Sequence, residues 1–232
     1  MLDDRDLWWQ ANCALWAGRI TEESLEDQRG SVPPAEFMRE FFSWWEDPES
    51  VGGALPYDIW MDLADPGAER GQIPVFGLDV DQDRTAWISV VWARGDSLTQ
   101  VQLANDGHAL PAHRAVEECA RLTKEWRGPV AAARAFEDDL NAAGVQPIVV
   151  SSQDFTAASG AVYDAVTARM LRHGNQPALN AAVKAAAWRA AGTDGSRGFQ
   201  LKDRPEVGPL AAMTRALHAA DKNVVQPFAL WG

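Results

Sequence analysis

Asp79 closes a short apolar run, Phe76-Gly77-Leu78-Asp79-Val80. A carboxylate at the end of such a strand is costly to bury without a partner. Hard oxygen ligands of this kind suit Mg2+ or Mn2+. Carboxylates gathered from separate elements can hold two divalent ions about 3.5–4 Å apart, one activating water and the other stabilising the leaving oxygen of a phosphodiester. The plainer alternative is that Asp79 merely starts the turn that Asp81 and Asp83 continue. Other acids stand at Glu137, Asp138, Asp139 and Glu206. All four lie where helices begin, and the macrodipole favours acids there in any case.

Cations are concentrated elsewhere. The stretch from Arg169 to Arg204 carries Arg169, Arg172, Lys184, Arg189, Arg197, Lys202 and Arg204, against only Asp194 and Asp203. Arg172, His173, Lys202 and Arg204 are the candidates for contact with DNA phosphates. For His173 the equal alternative is a helix-end histidine at the C-terminal dipole. For Lys202 and Arg204 it is a charged sheet edge. The net charge of −12 argues against a general nucleic-acid coat protein, though a contiguous basic face could still hold DNA. No G-x-x-x-x-G-K-[ST] occurs, so no ATP hydrolysis is expected from this chain.

These residues need a scaffold. The chain has 232 residues, 47% hydrophobic and 23% charged, an ordinary globular composition. No apolar run reaches the ~18 residues of a membrane span. Cys13 and Cys119 lack metal-ligand spacing and read as reduced packing residues in a cytoplasmic protein. Residues 1–70 read as a helical, tryptophan-rich arm. Its apolar residues include Leu7, Trp8, Trp9, Leu15 and Trp16, and Thr21 caps a short helix. A further helix opens at Pro33-Pro34, carries Trp44 and Trp45, and ends at Asp47-Pro48. A short helical segment spans Tyr57–Leu63.

Residues 71–232 change period. Strands are expected over Ile73–Val80, Thr85–Trp92 and Leu98–Leu103, the first two joined by a turn at Asp81–Arg84. The spacing then predicts a helix over Ala112–Trp126, a strand over Pro129–Ala133, a helix over Phe136–Ala143 stopped by Gly144, and a strand over Pro147–Val150. After these come a helix capped by Ser151 or Ser152 and running to about Leu171, another over Pro177–Ala187, a glycine-rich loop over 192–198, and a last helix over Pro209–Ala220. A meander followed by βαβ units gives an α/β domain, a mixed sheet flanked by helices. That is the order of the RNase H-like fold. Ferredoxin-like and doubly wound arrangements share much of it.

The chain also resembles the C-terminal half of bacteriophage terminase large subunits, the DNA-packaging motor proteins. The segments that carry the resemblance are Leu7-Trp8-Trp9-Gln10-Ala11-Asn12, Gly18-Arg19-Ile20-Thr21-Glu22-Glu23, Pro34 to Glu40, Phe76 to Val80 with Asp83-Arg84, Tyr163-Asp164-Ala165-Val166, Leu171-Arg172-His173, Gln176 to Asn180, and Gly208 to Ala212. Their order and spacing, rather than any one of them, make the match. It implies an RNase H-like nuclease domain that uses Mg2+ or Mn2+ to cut concatemeric double-stranded DNA during genome packaging in the host cytoplasm. The implied partners are DNA and a terminase ATPase domain absent from this chain. A portal and a small terminase subunit are further partners that the family allows.

Asp79 matches the family's first acid. Glu206 stands where the family commonly has an aspartate at the head of the last helix. The second acid should end the strand Pro129–Ala133, but the next residue is Arg134. Glu137 is the substitute expected as catalytic residue and metal ligand with Asp79 and Glu206. If nothing replaces the second acid, the domain becomes a catalytically impaired DNA-clamping or docking module.

Overall fold

The computed structural model describes residues 5–32, 37, 40–42, 53–71, 74–93, 99–191 and 195–224. The chain divides into two compact units, Met1–Val51 and Gly52–Gly232. Of the expected helix that opens at Pro33-Pro34, residues 37 and 40–42 are described and are helical, whereas its start, Trp44, Trp45 and its end at Asp47-Pro48, and the strand-end residues Ile73 and Leu98, lie outside the described residues.

In the first unit, α1 (Arg5–Ala11), α2 (Cys13–Trp16) and α3 (Glu22–Ser31) surround a small core. Trp8, Leu15, Leu25 and Phe37 fill it, with Phe41 and Phe42 packed alongside. Thr21 caps α3 as expected, its side chain accepting from the Ser24 amide. Trp9 and Trp16 are exposed and meet edge to face. Cys13 is exposed too, so it is no packing residue, whereas Cys119 is buried and its thiol is pushed up to about 12 by desolvation.

The second unit is built on a seven-stranded mixed sheet. Its strands are β1 (Pro74–Val80), β2 (Thr85–Ala93), β3 (Thr99–Leu103), the short β4 (Leu110–Pro111), β5 (Val130–Ala132), β6 (Ile148–Val149) and β7 (Leu171–His173). The order is β6-β5-β1-β2-β3-β7, with β4 pairing β2 beside that path. The hairpins β1–β2 and β2–β3 are antiparallel, and β5, β6 and β7 join in parallel.

Alternation along β1 decides which face each residue serves. Phe76 and Leu78 point to the core under α5 (Ala112–Trp126), with Cys119 and Leu122. Val75, Gly77 and Asp79 point the other way, toward α9 (Gly208–Val224). The helix α9 is buried almost all round, as an apolar helix crossing the middle of a sheet must be. It crosses at Gly77, where an added Cβ would lie 2.0 Å from the Ala212 carbonyl oxygen. Helices α7 (Ser152–Thr167) and α8 (Pro177–Ala185) complete that layer, while α6 (Glu137–Ala142) belongs to the α5 side.

The structure moves several expected boundaries. Helix α4 (Tyr57–Asp62), grouped by sequence with the arm, belongs to the second unit, where Trp60 is fully buried against His173 and Asn180. The unit boundary therefore falls near residue 51 rather than 70. The helix expected to reach Leu171 ends at Thr167, because Arg169 turns left-handed at φ +57, and Leu171–His173 becomes β7 beside β3. The expected loop at 192–198 contains part of a second, two-stranded sheet: β8 (Trp188–Ala190) pairs with β9 (Arg197–Phe199). Gly144 does stop α6, at φ +78.

Candidate functional site

Asp79 sits one residue from the end of the central strand, opposite Trp87. It is 9% exposed and forms a buried ion pair with Arg215 of α9. Burial pushes its carboxyl above the usual range, Asp81 adds to that, and the guanidinium pulls it back. Arg215 is itself 7% exposed and lies 4.9 Å from the centre of the Phe155 ring. Among the described residues its Nε–H has no acceptor.

On the other side of β1 runs β5. Phe76 pairs with Val130 and Gly77 with Ala131. Two residues further in the same register, Ala133 comes level with Asp79, followed by Arg134. The end of this strand, where the second acid is expected, thus carries Ala133 and Arg134 and no carboxylate. Glu137 begins α6 and faces Arg134 at 3.7 Å, on a surface where the arginine is largely exposed. Glu206 lies in the 3-10 turn Pro205–Val207 that leads into α9, half-exposed and 3.7 Å from Arg204. Each of the three expected ligands has an arginine as its ion-pair partner. Among the described residues, no three His, Cys, Asp or Glu side chains come together closely enough to hold a metal ion. The residues present therefore do not fit the pair of divalent ions that the resemblance implies.

The expected DNA contacts also separate. His173 is a correction: it is fully buried, stacked on Trp60 at 4.0 Å, with Nε2 on the Trp60 carbonyl and Nδ1 accepting from the Asn175 amide. Such a ring cannot reach a phosphate. Burial holds its pKa below the usual value. Arg172 spends its guanidinium on the carbonyls of Arg169 and Leu171, and Arg204 donates to the Ala185 carbonyl. Lys202 is exposed and lines a cavity of about 280 Å³.

That cavity opens beside the end of β5. Ala133, Ser151, Phe155, Arg189, Lys202 and Arg215 are among its walls. Sequence reasoning included Arg189 in the basic stretch without singling it out, and it missed Arg215 altogether. The signal for Arg215 was present: one arginine among Ala212, Met213, Ala216 and Leu217, on a helix otherwise fit for a core.

The sheet order, the acid on the central strand and the closing helix define an RNase H-like domain. Among solved structures, the HK97 bacteriophage large terminase shares this fold at a TM-score of 0.54 and 15% identity, over 94% of this chain and 55% of that one. The large terminase nuclease of thermophilic phage G20c, solved with bound cobalt, gives 0.54 and 13% over 73% of this chain and 98% of that. The same nuclease with bound magnesium gives 0.51 and 15% over the same shares. This chain thus spans about half the length of the HK97 protein. No protein-family model matches it, and no curated protein does.

Proposed function

We propose that this chain is the nuclease-type half of a phage terminase large subunit, and that it holds double-stranded DNA during genome packaging, beside an ATPase module, in the host cytoplasm. The supporting likeness is one of fold, and at 94% of the chain it extends beyond the sheet to the N-terminal unit. Among the described residues, no helix is long and apolar enough to cross a membrane.

Within that role the geometry favours clamping over cutting. The observation that carries this is the buried Arg215–Asp79 ion pair, and the end of β5 adds to it with Ala133 and Arg134 where the resemblance expects an acid. A buried carboxylate already neutralised by a guanidinium is a poor metal ligand, and among the described residues no group of three potential ligands gathers around it.

Endonuclease action is the second reading. One observation favours it: Asp79 lies on the central strand and Glu206 at the head of the last helix, the two places at which the resemblance puts acids. Incubation of the purified chain with supercoiled plasmid and Mn2+ or Mg2+ decides between them. The clamping reading expects plasmid to be bound, by mobility shift, and left uncut. Cleavage that disappears in Asp79→Ala would establish the endonuclease instead.

A further inference from the structure

Among the described residues, the charged walls of the cavity at the end of β5 are all cationic. Arg189 comes from β8, Lys202 from the turn after β9, and Arg215 from α9. No carboxylate among the described residues lines it. Among the described residues neither Arg189 nor Lys202 has an acidic partner, and both are exposed at the rim. Arg215 lies deeper, more than nine-tenths buried, with its Nε–H lacking an acceptor among the described residues.

The walls that present these cations are fixed. Phe199 and Trp188 stack across the β8–β9 hairpin at 5.0 Å. The hairpin is pinned to α7, where the Phe199 amide donates to Ser159 Oγ and Gly198 lies so close to Thr156 that an added Cβ would be 3.2 Å from its Cα. Cations preorganised around a recess form a site for an oxyanion. The volume of about 280 Å³ holds a phosphate group with its solvent.

We propose that Arg189, Lys202 and Arg215 form a phosphate-binding pocket in which side-chain cations take the place of metal ions, and that its ligand is a phosphate of a DNA strand. Arg215 forms the inner wall, its charge set against Asp79, and Arg189 and Lys202 at the rim supply the unpaired charge that the phosphate meets. Binding at this site needs no divalent ion. The choice of DNA as the source of the phosphate rests on the proposed role in packaging; the pocket itself does not.

The test uses the full chain and a short fluorescent DNA duplex, read by anisotropy in EDTA, with inorganic phosphate as a second probe read by thermal shift. Wild type is expected to bind the duplex in EDTA. Arg189→Ala and Lys202→Ala should each weaken binding on the order of tenfold, the factor for one charge-assisted contact. Lys202→Arg should keep it, and Arg121→Ala, on α5, should change nothing. Both alanine positions are exposed, so unchanged unfolding temperatures are expected. Duplex binding in wild type that neither alanine variant alters would overturn the pocket and leave the packaging role standing. Duplex binding that appears only with Mg2+ would overturn it as well. Stabilisation by inorganic phosphate that depends on Arg189 and Lys202, without duplex binding, would support the pocket and sink the DNA reading. Binding of neither probe would overturn the pocket.

Discussion

At the scale of single residues, the Asp79–Arg215 pair has consequences for stability as well as chemistry. Both partners are out of water, so removing one leaves the other charged and buried. Asp79→Ala should therefore lose about 3–5 kcal/mol of stability in urea unfolding, and Arg215→Ala a similar amount. The double variant should lose clearly less than the sum, because neither orphaned charge remains. His173 carries a second prediction. Its folded-state pKa lies below the unfolded value near 6.5, since burial disfavours the imidazolium. The unfolded chain then binds the proton more readily, so stability is present above pH ~6.5 and declines as the pH falls below it. His173→Phe keeps the stack on Trp60 and removes the titration. Its unfolding free energy between pH 7.5 and 5 should run flatter than that of wild type.

At the scale of elements, the most demanding contact is the crossing of α9 over β1. Gly77 permits it: a methyl group there would press on the backbone of Ala212 and Ala216. Gly77→Ala should cost about 3 kcal/mol, or roughly 6–12 °C in unfolding temperature, measured by calorimetry. How much of this was legible in the sequence varies by element. The β1–β2 hairpin, the Ala112–Trp126 helix and the last helix follow from strong local periodicity, so the sheet's centre and its covering layers could be read. Asp79 could be placed on the central strand for the same reason. Strand β7 was hidden because α7 ends without glycine or proline; Arg169 itself adopts the left-handed turn. The β8–β9 hairpin was hidden because the glycines around it read as a loop. The ion pair was beyond any local signal, since its partners are 136 residues apart.

At the scale of the whole molecule, charge sets the terms on which DNA can be held. The chain carries a net charge of −12, so its overall field repels a polyanion. Physiological salt screens that repulsion over about 8 Å, which leaves short-range contacts to decide binding. If the pocket supplies those contacts, its free charges are those of Arg189 and Lys202, since Arg215 already neutralises Asp79. The logarithm of the binding constant should then fall with log salt at a slope of roughly −2 at most, much shallower than for a protein with a broad basic face. Arg189→Ala and Lys202→Ala should each reduce the slope by about one. Arg172 and Arg204 have their guanidiniums on backbone carbonyls, so their alanine variants should leave it close to wild type. Anisotropy titrations of one duplex across a series of KCl concentrations measure all five slopes. A slope well steeper than −3 in wild type, reduced equally by all four substitutions, would mean that the basic stretch acts as a diffuse face and that the recess beside β5 has no special part in holding DNA.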